Sequence, residues 1–237
     1  MHMNADTTQH KHTDRAFERD LARLREGLLH MASAVERQIG ASMRALSGRD
    51  EALARRVIAG DTEIDDRELE IDELCRRILA LRQPAASDLR LITTAVKVVT
   101  DLERIGDLAT SIAERAIELA HWPPVAALEP LLHLAAAAQA QVTAALRAFI
   151  GQDPDAAEAV MAGDQDVDAL FLDAFNALLA TMMNDASTVR AGTALMFVAR
   201  HLERIGDHAT NIAEMVVYLV RGTDVRHSNR THGRRTA

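Results

Sequence analysis

Leu102, Ile105, Ala109, Ile112 and Ala116 follow one another at steps of three and four, with polar residues between them. Ile71, Leu74, Cys75 and Ile78 keep the same rhythm. Such spacing gathers side chains on one face of a helix, since 3.6 residues complete a turn. Breakers interrupt the rhythm at Gly48 and Asp50, Gln83-Pro84, Trp122-Pro123-Pro124, Gly151 to Pro154, and Asn184 to Ser187. Six long helices are predicted between them, over 14–47, 49–82, 87–121, 125–150, 154–183 and 187–221. Each has about 30 residues, hence a length of ~45 Å. Asp153-Pro154 is a helix start with a mechanism: Asp caps the free amides, and Pro takes a first-turn position where no donor is missed. Pro130 should delay or kink the fourth helix.

The pattern is written twice. DLERIGDLATSIAE at 101–114 returns as HLERIGDHATNIAE at 201–214, with eleven of fourteen positions identical. VIAGDTEID at 57–65 returns as VMAGDQDVD at 160–168, and Arg90 is matched by Arg190. The chain therefore reads as an all-α protein built from two tandem three-helix bundles, 14–121 and 125–221, that pack against each other. Residues 1–13 and the basic stretch 222–237 are expected to be disordered tails.

Composition narrows the class. Aromatics are 3% of 237 residues and Gly and Pro are scarce, which favours helices over sheets. The single Cys75 excludes a disulfide framework and, lying in register with Ile71 and Ile78, reads as core. The N-terminus has no apolar core of a signal peptide. The apolar stretch from Val125 to Ile150 is interrupted by Glu129, His133, Gln139, Gln141 and Arg147, so no membrane span is expected. We expect a cytoplasmic protein with at most peripheral membrane association. Net charge is −8; residues 221–237 carry five Arg and one Asp, leaving an acidic body. Such a body has neither the basic stripe nor the stacking platform that nucleic acid requires.

The acidity is patterned. Glu103, Asp107, Thr110 and Glu114 share one helical face. Like charges at i, i+4 repel by ~0.2–0.5 kcal/mol. Gly106 and Gly206 each cost ~1 kcal/mol inside a helix, a cost explained by close approach of another group. Ile92, Val96 and Val99 continue the acidic face upstream, so a neighbouring helix should cover it. Asp61 with Asp65, and Asp164 with Asp168, are i, i+4 pairs on the preceding helices. Folding each hairpin about its turn sets Asp61 and Asp65 level with Asp107 and Glu103, and Asp164 and Asp168 level with Asp207 and Glu203. Four carboxylates at one height need protons or a cation. Oxygen-only ligands suit iron, manganese, magnesium or calcium. Arg104 and Arg204 are turned about 100° from the neighbouring Glu and are not expected to neutralise it. His201 and His208 point away from the acids, and the first copy has Asp101 and Leu108 in their places. They read as packing or surface residues, with Ser111 and Asn211 at most near the ligands.

The repeated [D/H]LERIGD with AT-x-IAE, each copy preceded by GDxx[IV]D on the previous helix, resembles the PhoU family from about Phe17 to Val220. The resemblance implies metal clusters held by Asp61, Asp65, Glu103 and Asp107 and by Asp164, Asp168, Glu203 and Asp207, with iron, manganese, magnesium or zinc as ions. It also implies a regulator that restrains phosphate-starvation signalling, partnered by the ATPase subunit of the Pst phosphate transporter and a PhoR-type sensor histidine kinase. A homodimer is expected. The chain is not expected to be an enzyme. A carboxylate-bridged di-metal enzyme would supply paired Glu-x-x-His motifs. Gly106 and Gly206 stand where those His would be, and Glu118 to His121 has no second copy. A phosphorelay bundle would need an exposed His in a role that the first copy lacks.

Overall fold

A computed structural model describes residues 6–84, 86–125, 128–223 and 225, with side chains from residue 15 onward. Seven α-helices follow in order: α1 Asp6–Gly48, α2 Glu51–Arg82, α3 Ala86–Ala120, α4 Glu129–Gly151, α5 Pro154–Ala162, α6 Asp164–Asn184 and α7 Val189–Arg221, with one 3₁₀ turn, Ala186–Thr188, before α7. Among the described residues there is no strand, and no helix is long and apolar enough to cross a membrane.

The punctuation works as local chemistry requires. Asp50 caps α2 by accepting from the Leu53 amide at 2.9 Å. Asp153 caps α5 by accepting from the amides of Asp155 and Ala156, with Pro154 at the first position. Gly222, at φ 69°, closes α7 in the left-handed region where a Cβ would be strained. Pro130 sits in the first turn of α4, which starts at Glu129 and not at the expected 125.

Two further boundaries differ from expectation. α1 begins at Asp6, so 6–13 of the expected N-terminal tail is helical; 1–5 and most of the expected C-terminal tail lie outside the described residues. The predicted helix 154–183 is broken at Gly163 into α5 and α6. A Cβ on Gly163 would stand 2.5 Å from Nε2 of Gln141, whose side chain on α4 takes that space. The matching Gly60 would have nothing within 4 Å of an added Cβ and lies inside unbroken α2. The break thus falls where a side chain of α4 packs against the glycine, a contact that Gly60 lacks.

α1, α2 and α3 form one bundle; α4, the broken α5–α6 rod and α7 form the other. The bundles share one continuous apolar core, which runs from Leu21 to Leu219. At its centre α3 packs on α7. Arg90 donates to the Leu219 carbonyl at 3.4 Å, Asp101 meets His208, and Arg190 lies 4.4 Å over the Trp122 ring, so the two helices run antiparallel. The matched Arg90 and Arg190 each reach the C-terminal end of the other repeat's central helix, where carbonyl dipoles attract a cation. Ile92 and Val99 are buried, and Cys75 lies in the core with its thiol pushed up to about 12 by burial.

Candidate functional site

At Gly106, α3 lies close against α2. A Cβ there would lie 3.0 Å from Cδ1 of Ile64 and 3.5 Å from Oδ1 of Asp61. Gly206 is the counterpart, with Cγ1 of Val167 at 3.0 Å. The close approach expected at both glycines is present, and it brings the acidic face of α3 beside that of α2, and the acidic face of α7 beside that of α6.

In the first repeat Asp61 accepts from Nε2 of Gln38 at 3.0 Å. The same nitrogen is 2.8 Å from the Thr110 hydroxyl, so α1 tethers both helices of the hairpin. The Glu103 carboxyl is pushed up to about 6, chiefly by burial and next by Asp107, with smaller contributions from Glu68 and Asp65. Asp65 is also raised, by burial and then by Asp61 and Asp107. The four predicted carboxylates therefore share one electrostatic neighbourhood, and Glu68 joins them: it is raised by burial, then Asp72, with Asp65 and Asp107 further down.

The second repeat repeats the plan with different counter-groups. Asp164 accepts from the Thr210 hydroxyl at 3.0 Å. Glu203 is only 8% exposed. It is raised by burial and then by Asp207, with Asp168 and Asp164 adding to the effect. Asp207 is raised by burial, then by Asp164 and Asp168. Arg200 donates to one Glu203 oxygen at 2.5 Å. Where the first repeat has Glu68, the second has Phe171.

One buried oxygen in each set lacks a hydrogen-bond donor: Oε2 of Glu103 and Oε2 of Glu203. Arg104 Nε lies 3.3 Å from the former, an ion-pair contact without hydrogen-bond alignment. Arg104 also donates to Asp107 at 3.2 Å. The expectation that Arg104 turns away is thus corrected: its long side chain folds back across the helix and reaches both neighbours. Among the described residues no three His, Cys, Asp or Glu side chains stand close enough together to hold one metal ion. The donor set nevertheless fits a hard cation: each repeat offers oxygens only, raised carboxyls, and one buried oxygen without a donor.

The histidines lie elsewhere. Nδ1 of His208 is 2.7 Å from Oδ1 of Asp101, and the Asn211 amide approaches the same oxygen at 3.4 Å. These residues join α3 to α7 at the junction of the repeats, and Asn211 directs its amide to Asp101. His201 keeps a buried Nδ1 without a partner. Gln38 and Glu68 are absent from the set read off the sequence. Each had a signal: Gln38 recurs as Gln141 at the same 103-residue offset as Asp61 and Asp164, and Glu68 is seven residues after Asp61 on one face.

The PhoU domain matches this chain twice, over 28–116 and 131–216. A phosphate-specific transport system accessory protein PhoU homolog of Pseudomonas aeruginosa is 44% identical over 227 residues, covering 95% of this chain and 93% of the relative. The Serratia marcescens phosphate-specific transport system accessory protein PhoU is 39% identical, covering 92% and 89%. The crystal structure of PhoU from Pseudomonas aeruginosa superimposes with a TM-score of 0.83 at 44% identity, over 87% of this chain and all of that one. The phosphate transport system regulatory protein PhoU from Streptococcus pneumoniae gives 0.80 at 27% identity, over 88% and 99%. The two matched segments contain both acidic hairpins, each in the same place in its repeat, and with this extent of likeness the chain belongs to the PhoU family.

Proposed function

We propose that this protein regulates phosphate uptake without catalysing a reaction, as an accessory of a phosphate transport system. The observation that carries the reading is the 44% identity to a phosphate-specific transport system accessory protein across 95% of the chain. The fold agrees with that role: long helices present large outer faces, and Cys75 is sealed in the core. Its partners are the ATPase subunit of a Pst-type transporter and a PhoR-type sensor histidine kinase, met in the cytoplasm. By holding both, the protein restrains phosphate-starvation signalling when phosphate is plentiful.

The acidic hairpins bind metal in this reading. Asp61, Asp65, Glu103 and Asp107 would hold ions in the first repeat, and Asp164, Asp168, Glu203 and Asp207 in the second. A bound iron, manganese, magnesium or zinc ion supplies positive charge that neutralises the facing carboxylates and clamps the two helices. Raised carboxyls support this, because protons on an unloaded site are what a cation would displace. Deleting the gene should leave phosphate-responsive genes expressed in high phosphate. Normal repression in the deletion strain would refute the regulatory role. Elemental analysis of protein purified without chelator tests the metal reading separately.

A further inference from the structure

The duplication lets the two acidic sites be compared residue by residue, at an offset of 103 between α2 and α6 and of 100 between α3 and α7. Asp61, Asp65, Glu103 and Asp107 recur as Asp164, Asp168, Glu203 and Asp207, and Arg104 recurs as Arg204. Two positions beside the acids break the symmetry. Glu68 of α2 becomes Phe171 of α6, and Thr100 of α3 becomes Arg200 of α7. The second repeat thus loses a carboxylate and gains a cation.

The two changes meet in space. Thr100 donates its hydroxyl to the Val96 carbonyl of its own helix at 3.2 Å. Arg200 instead donates to Oε1 of Glu203 at 2.5 Å, while its guanidinium carbon lies 6.0 Å from the centre of the Phe171 ring. A guanidinium over an aromatic face is attracted by the ring quadrupole, so Arg200 is held from α6 and α7 at once. Arg104 has no such hold in the first repeat. Its contact with Glu103 lacks hydrogen-bond alignment, and its hydrogen bond goes to the half-exposed Asp107. A charged hydrogen bond to a buried carboxylate is worth more than an exposed ion pair.

Arg200 still leaves the second site incomplete. The Glu203 side chain is nine-tenths buried, yet only Oε1 has a donor and Oε2 has none. The same carboxyl lies in the field of Asp207, Asp168 and Asp164. One guanidinium therefore serves one oxygen of four gathered carboxylates. Folding does not require it, since the first repeat builds the same hairpin with Thr100. We propose that Arg200 is a built-in counter-ion of the second acidic site. A hard divalent cation binding there must take Glu203 from it, so the two repeats load unequally, the first ahead of the second. This deepens the metal reading proposed above and rests on it.

The probe is Mn2+, titrated into the full chain after removal of metal and chelator, with free Mn2+ read by electron paramagnetic resonance. Two classes of affinity at least fivefold apart are expected. Glu103→Gln with Asp107→Asn should remove the tighter class, and Glu203→Gln with Asp207→Asn the weaker. Arg200→Thr, which copies the matching position of α3, should tighten the weaker class at least fivefold and leave the tighter one unchanged. Arg204→Thr removes the same charge one turn along α7 and should move neither class by as much as twofold. Phe171→Glu takes away the ring and gives Arg200 another acceptor, and should tighten the weaker class at least threefold. Equal affinities in the wild type, or an unmoved weaker class in Arg200→Thr, overturns the proposal. So does equal tightening by Arg204→Thr, which would make net charge alone the cause. Should Arg200→Thr lose helicity by circular dichroism, Phe171→Glu decides, and an unmoved weaker class there overturns the proposal as well. If Mn2+ binds neither wild type nor variants, the metal reading falls and this one with it. Binding in two classes that ignore Arg200 sinks this one alone.

Discussion

Glu103 is held in a place that disfavours its own charge. Its folded pKa, about 6, lies above the ordinary value of 4.5, chiefly through burial. The folded state therefore binds more protons than the unfolded state between these values, and stability falls as pH rises through that window. Glu103→Gln should stabilise the metal-free protein at pH 7 by about 1 kcal/mol and flatten the decline in stability between pH 4.5 and 6. Denaturant melts at both pH values, in chelator, check this; an unchanged slope would show that Glu103 is not the titrating group. Cation binding inverts the sign. Glu103→Gln with Asp107→Asn should raise the Tm of the metal-free form and lower that of the metal-loaded form, since loading adds ~2.7 kcal/mol at one hundred times Kd. Equal losses with and without metal would make these acids a structural network.

At the scale of the helix, the two kinds of glycine should behave oppositely. Gly60 is inside α2, with open space where a Cβ would go. Gly60→Ala should stabilise by ~0.5–1 kcal/mol, because Ala has less backbone entropy to lose. Gly106 faces Ile64 at contact distance. Gly106→Val forces α2 and α3 apart and should cost ~1–3 kcal/mol. Adding Ile64→Ala should restore part of that loss by making room. Thermal melts of the three variants and the pair distinguish packing at this crossing from a mere helix-propensity effect, under which Ile64→Ala would only add damage.

For the whole molecule, the shared core predicts one cooperative unfolding event. α3 and α7 belong to different repeats yet bury against each other, so neither bundle keeps its core alone. Calorimetry should show a single transition with equal calorimetric and van't Hoff enthalpies. Two separated transitions would mean that the repeats are independent. The Asp101–His208 contact belongs to this junction and has no counterpart across the pseudo-symmetric position, where His201 would face Leu108. A double-mutant cycle on Asp101→Ala and His208→Ala should therefore return a coupling of ~0.5–3 kcal/mol.

The sequence by itself determined the helices, the duplication and the height at which each acid stands. These follow from a local period of 3.6 and from residue counts on either side of a turn, and neither depends on what lies opposite. Gly106, Gly206 and Cys75 were legible for the same reason: their cost or their register is written within one helix. The tertiary structure decided what comes from elsewhere. Gln38 reaches Thr110 across 72 positions, and His208 meets Asp101 across 107. Gln141 on α4 takes the space beside Gly163, where the predicted fifth helix breaks. Arg104 bends back to Glu103 and Asp107 through side-chain torsions that a helical wheel does not contain. A wheel states where a side chain leaves its helix; where its end comes to rest depends on the packing of helices far apart in the chain.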